Sequence, residues 1–192
     1  MGRLVISENV SLDGVVQDPT GEEGFEHGGW FNAIADDDRR AWAQVGFEEA
    51  LGAAALLLGR RSDAFFGPRW SARTGEWADR LNRLPKYVVS STLVDPAWTN
   101  ATVLRGDVVS EVSKLKQELD GEIVVYASGR LVRTLIEHDL ADELRLIVYP
   151  VVLGAGERLL GHISDKKSVR LLNTRRVGDG LASLAYELVR TA

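Results

Sequence analysis

The 192-residue sequence contains no cysteine, and that absence removes three classes of chemistry: a disulfide framework, thiolate ligation of zinc or iron–sulfur clusters, and a nucleophilic thiol. Histidine is scarce as well. His27, His138 and His162 show no metal-ligand spacing with carboxylates, so surface or structural roles are expected and no metal is. No apolar run approaches the ~20 residues of a membrane-spanning helix, and residues 1–10 enter alternating sequence without a basic start and long apolar stretch. A cytoplasmic location with no membrane partner is expected. There is no G-x-G-x-x-G after a strand, no GK[ST] phosphate loop and no G-x-S-x-G elbow, which leaves a Rossmann dehydrogenase, a P-loop kinase and an elbow hydrolase without support. An excess of positive charge is missing too: 23 Lys and Arg against 28 Asp and Glu leave a net charge of -5. That balance argues against nucleic acid or anionic lipid as a partner, and any bound anion should be small.

What is present is a chain of short hydrophobic segments from Leu4 to Val189, with no repeat, low-complexity run or linker, which reads as one domain over residues 1–192. Leu4 to Val10 reads as a first strand. Ser11 to Asp38 is a long Gly-rich excursion, of a length that in compact domains is functional or disordered. Asp36, Asp37 and Asp38 suit a helix N-terminus, a reading preferred here over a cation site. Ala43, Phe47, Ala50, Leu51 and Ala54 then recur at helical spacing, and Ala54 to Leu58 is the continuous apolar run of a strand covered on both faces. A helix from Arg60 is expected to stop at Gly67–Pro68. Further strands are expected at Lys86–Ser90, Thr102–Leu104, Ile123–Tyr126 and Leu144–Tyr149, and helices at Glu76–Arg83, after Asp107, and from Gly129 to His138. Two alternating segments flank Gly178–Asp179–Gly180 and predict a closing antiparallel hairpin, so the sheet is expected to be mixed.

In open α/β sheets ligands gather at the carboxyl ends of strands, where helix N-termini present free N–H groups. Three junctions carry suitable residues. Leu58–Gly59–Arg60–Arg61–Ser62 runs a strand into a helix with two guanidiniums and a hydroxyl in its first turn, suited to phosphate or, equally, to solvent. Val89–Ser90–Ser91–Thr92 ends a strand in three hydroxyls, whose simpler reading is a turn satisfying its own backbone. Tyr126–Ala127–Ser128–Gly129–Arg130–Leu131 places small residues where a dinucleotide backbone can approach closely.

Taken in order, five segments resemble the dihydrofolate-reductase-like superfamily, in particular the branch related to the reductase domain of bacterial riboflavin biosynthesis. They are Val10–Gly14 (V-S-L-D-G), Leu58–Arg61, Lys86–Leu93, Ser128–Leu131 and Tyr149–Gly156. The resemblance implies a three-layer α/β fold with a mixed, mostly parallel sheet of about eight strands, helices on both faces and a C-terminal antiparallel hairpin. It also implies an NADPH-dependent reductase of a small heterocycle or carbonyl compound, in which the cofactor carries the chemistry. By that likeness Gly59, Arg60, Arg61, Ser62, Ser90, Ser91 and Thr92 would flank the adenosine phosphates, while Ser128, Gly129, Arg130 and Leu131 would hold the pyrophosphate. Val16 would lie near the nicotinamide carboxamide, Trp30 or Phe31 near the substrate ring, and Asp13, Tyr126 or an ordered water would complete proton transfer. The riboflavin-pathway reductases carry a glutamate where this chain has Ala127, which keeps a noncatalytic nucleotide-binding module as the competing expectation. A homodimer suits both.

Overall fold

A computed structural model describes residues 1–161 and 163–190, so His162 lies outside the described residues. Eight strands form one sheet: β1 (Arg3–Ser11), β2 (Ala53–Gly59), β3 (Lys86–Val89), β4 (Ala101–Leu104), β5 (Glu122–Tyr126), β6 (Glu143–Tyr149), β7 (Ser168–Val177) and β8 (Leu181–Val189). Their spatial order is β4-β3-β2-β5-β1-β6-β8-β7. The first six pair in parallel, and the β7–β8 hairpin adds antiparallel to β6. Five helices join them: α1 (Asp36–Gly52), α2 (Arg60–Ser71), α3 (Glu76–Arg83), α4 (Val108–Glu118) and α5 (Gly129–Glu137).

Helices cover both faces, which is why the inner strands read as unbroken apolar runs. Leu57, Ile6, Ile123 and Val125 pack with Val112 and Leu115 of α4 and with Val132, Leu135 and Ile136 of α5. On the opposite face Leu56, Leu58, Val5 and Val124 pack with Ala50 of α1, Trp70 of α2 and Leu81 of α3. A smaller cluster of Trp30, Tyr149, Val177 and Leu181, with Phe31 and Trp42 against it, fastens the segment after β1 to α1 and the hairpin. Among the described residues no helix is long and apolar enough to cross a membrane.

Two local expectations need correction. The first helix is not capped by an aspartate side chain: its N-cap is Ala35, and Asp36, Asp37 and Asp38 fill its first turn. Asp38 is buried because its Oδ1 accepts from the N–H groups of Asp179 (2.6 Å) and Gly180 (3.1 Å), pinning the turn between β7 and β8. Nor does α2 stop at Pro68; it continues to Ser71. Burial of Trp70 in the second core, with Asn82 donating to the Trp70 carbonyl at 3.1 Å, holds the turn beyond the proline and offsets its missing donor. The helix after Asp107 is as the sequence indicates: the Asp107 carboxylate accepts from Ser110 N–H at 2.9 Å.

Candidate functional site

Strand β1 is longer than its neighbour. Its ladder with β5 ends at Ser7↔Tyr126, whereas that with β6 runs on to Ser11↔Tyr149. The chain leaves β5 through Ala127 (φ 49°) and Ser128 (φ 69°), two consecutive non-glycine residues in the left-handed region, and turns at once into α5. Backbone held this way costs on the order of 1–3 kcal/mol per residue and persists only where surroundings enforce it. The enforcement is visible. Ser128 Oγ accepts from Gly59 N–H (2.9 Å), meets Ser62 Oγ (2.8 Å) and lies 3.0 Å from the Tyr126 carbonyl. The first and third sequence junctions are thereby one structure, with the N-termini of α2 and α5 side by side.

A cleft of about 1450 Å³ opens there and extends across β1 toward α1. It exceeds the roughly 300–1,000 Å³ of an ordinary small-molecule pocket, so it has room for two ligands together. One end is lined by Gly59, Arg60, Arg61, Ser62, Ser128, Gly129, Arg130 and Leu131, with Val16 from the segment after β1. Arg60, Arg61 and Arg130 are exposed, while Ser62 is buried. The other end has an aromatic wall of which the sequence reading identified only Phe31. Phe31 meets Trp42 edge-on (centroids 4.9 Å), Trp42 approaches Trp77 (5.7 Å), and Trp77 packs on Trp70 (4.8 Å). Gly46 makes this possible, since a Cβ there would lie 2.7 Å from the Trp77 ring.

The floor between the two ends is polar and was equally hidden. Arg145 of β6 donates to Glu122 through both terminal nitrogens (3.0 and 2.7 Å), to Glu143 (2.5 Å) and to Glu49 of α1 (3.3 Å). Arg3 also pairs with Glu122 and Glu143. Three carboxylates thus face two guanidiniums, and burial holds Glu49 above its ordinary carboxylate range against the opposing effects of Ser7, Arg145 and Tyr126. Burial, and then the neighbouring Glu49 carboxyl, drives Tyr126 well above the usual phenol value. Arg145 and Glu49 alone stand 96 positions apart in sequence, so no local spacing announces the network. One local signal did exist: Ser7–Glu8–Asn9 is a polar triplet inside an otherwise apolar central strand. Asn9 Oδ1 accepts from Trp42 Nε1 at 2.8 Å, and Glu8 is buried.

Several expected site residues stand elsewhere. Ser90, Ser91 and Thr92 are not part of the cleft lining. Ser90 Oγ accepts from the N–H groups of Thr92 (3.3 Å) and Leu93 (3.1 Å), the turn-satisfying role, and Thr92 reaches the site only through Arg60, 3.5 Å away. Trp30 is buried in the third cluster with Nε1 donating to the Gln17 carbonyl (3.0 Å), leaving Phe31 as the aromatic of that pair on the cleft. Asp13 is outside the lining as well. Its carboxylate accepts from Leu153 N–H (3.1 Å), Ser11 Oγ (2.8 Å) and Gly154 N–H (2.9 Å). The Leu153 and Ser11 bonds chiefly hold it down at about 2, ionised at neutral pH and unsuited to donate a proton. It clasps two motifs of the resemblance, V-S-L-D-G and Tyr149–Gly156, to one another. Among the described residues no group of three acidic or imidazole side chains is placed to hold a metal ion.

Comparison with known proteins agrees with this architecture. The family model of the RibD C-terminal domain matches residues 3–183, so the chain belongs to that family. Among individual relatives, YyaP of Bacillus subtilis (strain 168) is 27% identical over 190 residues, covering 96% of this chain and 94% of its own. The crystal structure of a putative riboflavin biosynthesis protein from Shewanella sp. PV-4 superposes with a TM-score of 0.71 at 18% identity, covering 98% of this chain and 99% of that one. Dihydrofolate reductase from Enterococcus faecalis, complexed with NADP(H) and RAB-propyl, gives a TM-score of 0.56 at 13% identity, covering 97% and 96%. The fold is that of the dihydrofolate-reductase-like superfamily, on the branch of the riboflavin-biosynthesis reductase domain.

Proposed function

We propose that the protein is an NADPH-dependent reductase of a small heterocyclic or carbonyl compound. The observation that carries this reading is the cleft that joins paired helix N-termini and three arginines at one end to an aromatic wall at the other, with the largely buried Glu49 carboxyl on the floor between them. Membership of a reductase-domain family and the NADP(H) bound to a structural neighbour support it.

The residues suit a dinucleotide. Arg60 to Ser62 and Gly129 to Leu131 offer helix N-terminal N–H groups to phosphates, Gly59 and Ser128 shape the two turns that bring them together, and Arg60 and Arg61 supply charge for a 2′-phosphate. When bound, the nicotinamide supplies a hydride; every other requirement falls on the chain. Phe31 and Trp42 form an apolar face for a flat ring, excluding water from one side of it. Glu49, whose carboxyl burial holds above the ordinary carboxylate range, lines the cleft with that face and is the group assigned to deliver the proton, with Ser7, Arg145 and Tyr126 as its neighbours. This assignment replaces Asp13 and supplies an acid where Ala127 leaves none.

The test is a titration with NADPH and NADH followed by nicotinamide fluorescence, repeated with Arg60→Ala and Arg61→Ala. Preference for NADPH that weakens in either variant is the expected result, and turnover in a screen of pyrimidines, folates, quinones and carbonyls should then be lost in Glu49→Gln. Absence of binding by either nucleotide would refute the reading and leave a noncatalytic module.

A further inference from the structure

Glu8 has no role in the site as described, yet its position is anomalous. It lies in the middle of β1, the central strand of the sheet by connectivity to both β5 and β6. It is the first β1 residue past the end of the β5 ladder, where the sheet opens into the cleft, and it lines that cleft. Strand alternation fixes its direction. Ile6 and Val10, two residues either side, belong to the core that packs on α5, whereas Asn9 reaches Trp42 of α1 on the other face. The Glu8 side chain therefore lies on the α5 face, the same side as Val16 and Leu131.

Among the described residues one of its oxygens also lacks a partner. Glu8 is 9% exposed, and its Oε1 is buried with no hydrogen-bond partner among the described residues. A buried polar atom left unpaired costs about 1–3 kcal/mol, and natural structures tolerate this where a ligand completes the bond. Charged groups lining the cleft from α5 and the segment after β6 include Arg130, Arg133 and Glu157, the last two paired at 3.0 Å; across the sheet stand Glu49 and Arg145. None of them perturbs Glu8. Burial alone raises its pKa to about 8, so the carboxyl is protonated at neutral pH.

A protonated carboxyl presents one O–H donor and one carbonyl acceptor side by side. The complementary group is a primary carboxamide, with one acceptor and a donor in the matching order. Resting on the cofactor reading above, we propose that Glu8 anchors the carboxamide of the nicotinamide ring, its O–H donating to the amide oxygen and its carbonyl accepting from the amide N–H. The two-point contact fixes the ring's rotation about its glycosidic bond. Glu8 is a binding and positioning residue that handles no proton in the reaction. The bond it makes exists only while the carboxyl is neutral, so cofactor affinity carries the titration of Glu8.

The experiment needs no substrate. NADPH is titrated at pH 7 and pH 9 into the wild type, Glu8→Gln and Glu8→Leu, in parallel with 2′,5′-ADP, which has the phosphates but lacks the nicotinamide. Circular dichroism checks that each variant is folded. In the wild type NADPH should bind about tenfold more weakly at pH 9, where about a tenth of a carboxyl with this pKa remains protonated. Glu8→Gln, whose amide offers the same donor and acceptor without titrating, should bind NADPH equally at both pH values. Glu8→Leu should bind it weakly at both, and 2′,5′-ADP should be indifferent to pH and to all three side chains. PH-independent NADPH binding by the wild type, or undiminished binding by Glu8→Leu, overturns the role of Glu8 while the cofactor reading stands. Failure of both NADPH and 2′,5′-ADP to bind the wild type overturns both.

Discussion

Replacing Glu8 by methionine should make the protein more stable, by an amount that grows with pH. The carboxyl titrates at 4.5 when exposed and at about 8 when folded. Between those values the unfolded chain has released a proton that the native chain retains, so stability falls as pH rises from 4.5 to 8. Each unit is worth about 1.36 kcal/mol. The native state therefore forfeits about 3 kcal/mol at pH 7 and about 4 kcal/mol at pH 8, but under about 1 kcal/mol at pH 5. Methionine has a similar volume and no charge to desolvate, so Glu8→Met removes the penalty without opening a cavity. For a chain of this size the gain at pH 7 corresponds to a melting temperature higher by roughly 6–12 °C. Urea unfolding of both proteins at pH 5, 7 and 8 measures the difference directly. Parallel stability profiles across that range would show that Glu8 ionises as an exposed carboxyl does, and the reasoning would be wrong. A side chain that costs the fold this much is the kind retained for function.

Other perturbations follow from the same contacts. Asp38→Ala should cost about 3 kcal/mol, because two backbone N–H groups lose a charged acceptor; amide exchange at Asp179 and Gly180 should accelerate selectively, and unchanged exchange would refute the pinning role. Ser128→Ala strips Gly59 N–H of its acceptor and should lower stability by about 1–2 kcal/mol in chemical denaturation, with a weakened response to 2′,5′-ADP. Lys86 is buried with Nζ donating to the carbonyls of Asn82 (3.0 Å) and Leu84 (2.8 Å), and burial brings its pKa down to about 8 from 10.5. Its native state binds fewer protons than the unfolded chain between those values, so wild-type stability relative to Lys86→Met should rise as pH climbs from 8 to 10.5. A constant difference in denaturation midpoint over that interval would count against it.

Much of the scaffold was legible because period and punctuation agreed. The Val108 stripe with its Asp107 cap, the Glu76–Arg83 helix and the apolar run of β2 each state locally what the fold uses globally. The phosphate-suited junctions were legible for the same reason: a glycine or a pair of small residues between strand and helix is a local pattern. Glu49 and Arg145 were not, since they meet only after α1 packs across a sheet whose strand order departs from chain order. Pro68 misled because a local rule was read without the tertiary burial of Trp70 that overrides it. The Asp13 motif is legible in another sense: its carboxylate forms a clasp, while Glu8, five positions earlier, lines the cleft.

The segment between β1 and α1 arrives at the cleft already assembled. The Asp18 side chain accepts from the N–H groups of Glu22 (2.7 Å), Glu23 (3.0 Å) and Phe25 (3.0 Å), and its carbonyl from Gly29 (3.0 Å), while Glu22 pairs with Arg69 of α2 across the opening. Ordering a loop at the moment of encounter would charge about 1–2 kcal/mol per residue against affinity. Here that entropy is surrendered during folding. Ligand capture consequently becomes a matter of diffusion and of parting one surface ion pair, with a salt-dependent rate, rather than of waiting for some two dozen residues to find their shape.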